Sequence, residues 1–309
     1  QNLLYEQFVL PKLLKSQNID IYFSPYYKIP LFLDIPTIAT VHDIGFITFP
    51  LQYYARSGIY RFFAKQYLLL SLKKSAKLIA VSNYTKQEII KHYKISAEKI
   101  AVIYNTVNPI FSEDIKNKYN LEINTLKNKF GDFILSVSNY KPHKNIKNLI
   151  EAFAKIKSKI NHNLVLAGPL NSRCLELQKL ANSKKIDDRI FFVFPKDNLE
   201  LAQFYSAATV LAHPSLHEGF GLPIIEAQSC GCVVIAANTT SIPEIVNDSA
   251  LLFDGYSVDS IAAALLKILE DEKLRNHYSI KSKENILRFT SEKIYPLFLE
   301  ILYQMNRCK

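Results

Sequence analysis

The sequence predicts an α/β protein built from two doubly wound, Rossmann-like domains that face a cleft. Three observations carry this expectation. Short apolar runs of strand length alternate with helix-length segments, the pattern of βαβ units and parallel sheets. The alternation occurs twice, once on each side of a polar stretch at 112–129. The chain has 309 residues, about twice the roughly 150 of a common domain. With 49% hydrophobic and 21% charged residues the composition is that of an ordinary globular protein, which excludes disorder, collagen and coiled coil as the main architecture. No run approaches the roughly 18 apolar residues of a membrane span.

The elements follow in order. A helix is expected near 1–15, then a strand at Thr37–Val41, a long helix over 52–77, a strand at 78–81, a helix over 83–94 and a strand at 100–104. These make an N-terminal domain, 1–115. The charged segment 116–130 shows no sustained period and is expected to be a linker. In the second domain, 131–290, Phe133–Val137 reads as a strand. Residues 145–157 read as a helix, because Ile146, Leu149, Ile150, Phe153 and Ile156 fall on one stripe. Strands are expected at 164–167, Ile190–Val193, 210–212, 233–236 and Leu251–Phe253, with helices between most of them. A last helix, 291–309, is free to pack back on the N-terminal domain. In such sheets ligands bind outside the carboxyl ends of the strands.

Cys174, Cys230, Cys232 and Cys308 make no C-x-x-C pair, so neither a metal site nor a disulfide framework is expected, and reduced cytoplasmic thiols are the default. Charge is uneven: of the net +10, the first 120 residues carry +7. No acid lies between Asp43 and Glu88, whereas Arg56, Arg61, Lys65, Lys73 and Lys74 do, interleaved with Tyr53, Tyr54, Tyr60, Phe62, Phe63 and Tyr67. A basic, aromatic helix suits an anionic membrane surface better than nucleic acid; a merely solvated face is the plain alternative.

The chain has eight glycines, and Gly219, Gly221 and Gly231 lie within thirteen residues. The run Glu218-Gly-Phe-Gly-Leu-Pro-Ile-Ile-Glu226 sits between a strand and a helix. A helix N-terminus with free amides favours an anion, and Pro223 suits its first turn. Two carboxylates beside it are poor phosphate ligands but good acceptors for sugar hydroxyls. Lys144 stands at another helix start, where the dipole disfavours a cation unless an anion neutralises it. His42-Asp43 ends a strand; the imidazole is either an acid, base or hydroxyl ligand, or is held by Asp43 as local structure.

Taken together, these segments resemble retaining GT-B glycosyltransferases of the family 4 type, the "glycosyl transferases group 1" proteins, over nearly the whole chain. Glu218 and Glu226 match the E-x7-E motif, Lys144-Asn145 the K-N at a helix start, and His42-Asp43 the H-D at a strand end. Leu166-Ala-Gly-Pro169, Pro214-Ser215 and Ser241-Ile-Pro-Glu244 match further landmarks. The resemblance implies that a nucleoside diphosphate sugar sits mainly on the second domain. Lys144 would hold its diphosphate, Glu226 its ribose hydroxyls and Glu218 the transferred sugar, with Gly219, Phe220, Gly221, Leu222 and Asn139 beside them. His42 would reach the donor sugar or the acceptor. It also implies retention of configuration, no metal and no cofactor.

Asn139 stands where many relatives have Arg, and Asn105-Thr106-Val107-Asn108 lacks a Gly that relatives have. The opening strand and Gly-rich loop of relatives are missing from the chain, so an incomplete N-terminal domain is expected. The motif set is similar to that of bacterial mannosyltransferases of surface polysaccharide and lipopolysaccharide synthesis. That implies GDP-mannose as first donor, a glycan or lipid-linked glycan acceptor, and a cytoplasmic enzyme peripheral on the inner face of the membrane. The competing expectation is an inactive or truncated relative that binds nucleotide sugars without turnover. No G-x-G-x-x-G follows a strand, which disfavours a nicotinamide-dependent oxidoreductase.

Overall fold

The computed structural model describes residues 4–48 and 58–307. The chain divides into two compact units, Gln1–Asn105 with Glu292–Lys309, and Thr106–Ser291.

In the first unit a π-helical turn, Tyr5–Val9, runs into α1 (Leu10–Ser16). Then come β1 (Tyr22–Ser24), β2 (Thr37–Val41), α2 (Gly45–Thr48), α3 (Gly58–Lys74), β3 (Lys77–Ala80), α4 (Asn83–Tyr93) and β4 (Ile100–Val102). The strands form one parallel sheet in the order β1-β2-β3-β4. Alternate side chains leave opposite faces of a strand. Ala39, Val41, Leu78 and Ala80 therefore share a core with Leu68 and Leu72 of α3, while Ile38 and Ile79 point to the other side. The expected helix 52–77 is observed as α3; its first residues, with Arg56, lie outside the described residues.

The second unit runs α5 (Ile115–Lys118), α6 (Asn120–Phe130), β5 (Phe133–Val137), α7 (Ile146–Ile156), β6 (Asn163–Ala167) and α8 (Ser172–Ser183). It continues with β7 (Ile190–Val193), α9 (Asn198–Ala207), β8 (Val210–His213), α10 (Leu222–Ser229) and β9 (Val233–Ala237). It ends with α11 (Ile242–Val246), β10 (Leu251–Phe253), α12 (Val258–Glu270) and α13 (Glu272–Ile286). Its six parallel strands have the order β10-β9-β8-β5-β6-β7. That is the doubly wound order, with the direction of winding reversing between β5 and β8. The stripe of α7 is buried as its spacing requires, and each such side chain contributes about 1.5–3 kcal/mol of burial.

The segment expected to be a linker is helical. Ile115, Ile123 and Phe130 are buried, and Phe130 stacks edge-on against Phe133 and Phe191. One apolar residue per turn is enough to seat α6, and the Lys and Asn between hide the period. The division falls at Asn105–Thr106 rather than after 115. The last helix, α14 (Ser291–Arg307), belongs to the first unit, where Ile294 and Ile301 pack with Ile38, Ile79 and Ile103. Among the described residues no helix is long and apolar enough to cross a membrane.

Candidate active site

The reversal in the second sheet opens a crevice where the chain leaves β5 and β8. The two strands deliver the two charged motifs to that place. After β5 the chain turns through Pro142–Lys144, a 3₁₀ turn, to Asn145 in the left-handed conformation (φ 60°). Asn tolerates that conformation better than most residues. Its side-chain amide donates to the Pro214 carbonyl at 3.1 Å and the Gly255 carbonyl at 2.7 Å, tying the β5, β8 and β10 loops together. Leu216 N donates to the His143 carbonyl at 2.8 Å. A Cβ on Gly168 would press on the Ser138 carbonyl and the Tyr140 ring, so only glycine lets the 138–145 loop lie down on β6.

This frame brings Lys144 to Glu218. The ammonium donates to Oε1 at 2.6 Å, and His213 Nε2–H, from the end of β8, donates to the same oxygen at 3.0 Å. Burial alone would raise the Glu218 carboxyl. The Lys144 ammonium and the His213 hydrogen bond outweigh it and hold the group well below the usual carboxylate range. The anion that neutralises Lys144 here is thus a carboxylate of the chain itself. His143, beside Lys144, is pushed down to about 4, first by burial and then by that ammonium, so it is neutral at physiological pH.

The glycine run is held from behind. Glu218 N donates to Thr240 Oγ1 at 3.0 Å, and Ser241 Oγ donates toward the Glu218 and Phe220 carbonyls at 3.0 and 3.2 Å. Phe220 buries its ring edge-on against Phe289. Gly221 opens α10 at φ 101°, a conformation reserved for glycine; Leu222, the first helical residue, is exposed. One turn on, Glu226 accepts from the buried Tyr205 hydroxyl at 2.9 Å. Burial raises its carboxyl, and the Tyr205 bond works the other way. Asn139 is exposed, and its Oδ1 accepts from Lys141 N at 3.3 Å, a local turn.

His42 lies in the first unit, at the end of β2. Its Nε2–H donates to the Pro25 carbonyl at 2.9 Å, while Asp43 Oδ1 accepts from Gly45 N at 2.9 Å. His42 Nε2 is therefore held by a loop carbonyl rather than by Asp43. Lys65, Lys73 and Lys74 are exposed on α3, and the Arg61 guanidinium donates to the Ile47 carbonyl. Among the described residues no group of three or more His, Cys, Asp or Glu is arranged around a metal position. Sequence reasoning passed over His213, whose signal was a strand-end imidazole five residues before Glu218. It also passed over Tyr205, which no spacing announces.

Two α/β units with parallel sheets, the first in chain order and the second doubly wound with a charged crevice at its topological switch point, have the GT-B class of architecture. Residues 119–285 match the family described as "Glycosyl transferases group 1", and residues 1–110 match "Glycosyltransferase Family 4". The chain belongs to the glycosyl transferases group 1 family. It is 28% identical over 281 residues to the O-antigen chain mannosyltransferase B of Escherichia coli, covering 88% of this chain and 71% of that protein. It is 32% identical over 256 residues to the O-antigen chain mannosyltransferase RfbU of Salmonella typhimurium, covering 83% and 67%. It spans only 29% of the serotype-specific mannosyltransferase WbdA of Escherichia coli, to which it is 29% identical over 245 residues, 76% of this chain. In fold it is similar to Anabaena Alr3699/HepE, solved in complex with UDP and glucose: TM-score 0.78, 21% identity, 98% of this chain and 83% of that one.

Proposed function

We propose that the protein is a retaining, metal-independent hexosyltransferase. It moves a hexose, mannose in the first instance, from a nucleoside diphosphate sugar to a glycan or lipid-linked glycan in surface-polysaccharide synthesis. The observation that carries this reading is the Lys144–Glu218 pair, 2.6 Å apart at the switch point of the second sheet, beside the glycine-opened start of α10. The mannosyltransferase relatives and the UDP-bound structural neighbour support it.

The roles follow from the chemistry of each group. Lys144 and the amides at 219–221 receive the diphosphate; Lys144 then exchanges its carboxylate for phosphate oxygens. Glu218, kept ionised, accepts from hydroxyls of the sugar. Glu226, oriented by Tyr205, accepts from the ribose hydroxyls. In the reaction the bond from the anomeric carbon to the diphosphate oxygen breaks as the acceptor oxygen bonds on the same face. The acceptor's proton passes to the leaving phosphate, whose growing charge is stabilised by fixed donors. A basic, aromatic face on α3 supports docking to anionic lipid on the cytoplasmic side, where such acceptors are built.

The test is a thermal-shift series with GDP, UDP, dTDP and ADP, with and without EDTA, on wild type and Glu226→Ala. A nucleotide at 100 times its Kd adds about 2.7 kcal/mol of stability. One nucleotide should stabilise wild type, with EDTA present, and lose that effect in the variant. Equal stabilisation of the variant removes the ribose assignment, and dependence on added metal removes the metal-free mechanism.

A further inference from the structure

A cavity of about 330 Å³ lies between the loop that leads to Lys144 and the helices α7 and α8. That volume is at the lower end of those that hold small ligands. Lys144, Glu218 and Glu226 do not line it. Its floor is apolar: the Tyr140 ring and Ile146, both buried, with Leu177 and Leu180 of α8, both half-buried. The floor is also fixed. Tyr140 takes a left-handed φ of 58°, which a bulky residue avoids, and Ser138 Oγ accepts from its N–H at 3.1 Å. Its hydroxyl donates to the Leu166 carbonyl at 3.0 Å, and its ring meets that of Phe192 edge-on at 6.2 Å. Around this floor stand three cations, Lys141, Lys147 and Arg173, and one carboxylate, Glu176.

At Lys144 the chain supplies its own counter-ion; at this rim it supplies none. Among the described residues, none of the four charged side chains makes an ion pair or a hydrogen bond. Arg173 is half-buried, yet its fork of N–H donors meets no acceptor. Lys147 and Arg173 are each the second residue of a helix, and neither α7 nor α8 has an acid in its first turn. The helix dipole disfavours a cation there unless an anion joins it. Three cations against one carboxylate leave the rim with two positive charges, the complement of a phosphate dianion. We propose that this cavity binds a soluble phosphate monoester with an apolar body. The body lies on Tyr140, Leu177 and Leu180, and Arg173 and Lys147 hold the phosphate at the rim. An apolar floor beneath a charged rim means that the apolar end enters first. A bilayer headgroup presents its phosphate first and does not match. The site is independent of the transferase reading, whose groups lie elsewhere.

The test is calorimetric titration of the full chain with 1-naphthyl phosphate, at about 0.15 M salt so that scattered surface charge is screened. Inorganic phosphate probes the charge alone and 1-naphthol the body alone. Wild type should bind the ester roughly tenfold more tightly than either half. Arg173→Gln combined with Lys147→Gln takes away charge without breaking any bond of the fold, and should weaken the ester about tenfold. Leu177→Phe narrows the floor and should weaken it too; should that variant not fold, the charge variant decides. Saturating GDP or UDP, and vesicles containing phosphatidic acid, should leave the ester bound. No binding by wild type, or equal binding by the charge variant, overturns the site. Displacement by a nucleotide puts the ester in the crevice and overturns it as well, and displacement by the vesicles overturns the soluble ligand. If no nucleotide stabilises the protein while ester binding still follows Arg173 and Lys147, this site stands and the transferase reading falls.

Discussion

At the carboxyl edge of the second sheet the charged groups are turned inward. Lys144, Glu218 and His213 satisfy one another, and Asn145, Thr240 and Ser241 hold their loops from behind. In the first unit the groups on offer are turned outward. Helix α3 presents Ile59, Phe62, Phe63 and Leu70 with Lys65, Lys73 and Lys74. The contrast has a physical origin. Fixed charges act strongly only where water is excluded and their positions are set beforehand, so a site that stabilises a leaving phosphate must be buttressed. Lipid contact needs area and little else, and area tolerates change.

The sharpest way to break this comparison is Lys144→Met. If Lys144 carries the leaving charge, transfer under saturating donor should fall about 10²- to 10³-fold, roughly 2.7–4 kcal/mol. The same variant leaves Glu218 without its ammonium. The folded-state carboxyl of Glu218 lies below its unfolded value, so the stability it contributes is present above about pH 4.3 and is lost as pH falls through the folded value. Denaturant melts of wild type and Lys144→Met should therefore differ most near neutral pH, and the difference should narrow progressively as pH falls below about 4.3. An unchanged transfer rate would show that the inward charges are structural only.

The outward surface is tested by Lys65→Glu, Lys73→Glu and Lys74→Glu combined. Each cation near an anionic bilayer contributes about 1 kcal/mol, so partition to phosphatidylglycerol vesicles should drop roughly 100-fold at low salt. Neutral phosphatidylcholine vesicles should show no such difference, and raised salt should shrink it. Transfer to a soluble acceptor should stay at the wild-type level, because none of the three lies in the crevice. Equal vesicle binding would leave α3 as a solvated face.

The same contrast explains what was legible in the sequence. The α7 stripe, the glycines opening α10 and the Lys144-Asn145 pair were readable because each serves a local requirement: a buried face, a positive φ, a turn that ties loops together. Tyr205 was not readable as a partner, because it reaches from α9 to Glu226 of α10, which spacing does not connect, and His213 left only the weak signal of an imidazole at a strand end five residues before Glu218. The segment 116–130 misled because Ile123 and Phe130 seat α6 with few apolar residues among many polar ones.

Glu226 sharpens the comparison from within the second unit, with the smallest effect and the opposite sign. Its folded carboxyl is raised by burial, so above the unfolded value of about 4.3 its charge costs stability, and the cost fades as pH falls through the raised value. Glu226→Gln removes the charge and keeps an oxygen that can accept from the Tyr205 hydroxyl. The unliganded variant should therefore melt slightly higher than wild type at pH 7.5, with the difference shrinking toward pH 4.5. It should also bind nucleotide more weakly, since an amide oxygen accepts from ribose hydroxyls less strongly than a carboxylate. Higher stability with lower affinity would mean that the fold tolerates this charge for the ligand's sake, unlike that of Glu218, which the fold itself neutralises. A variant less stable at pH 7.5 would instead make Glu226 part of the frame, and the ribose would need another partner.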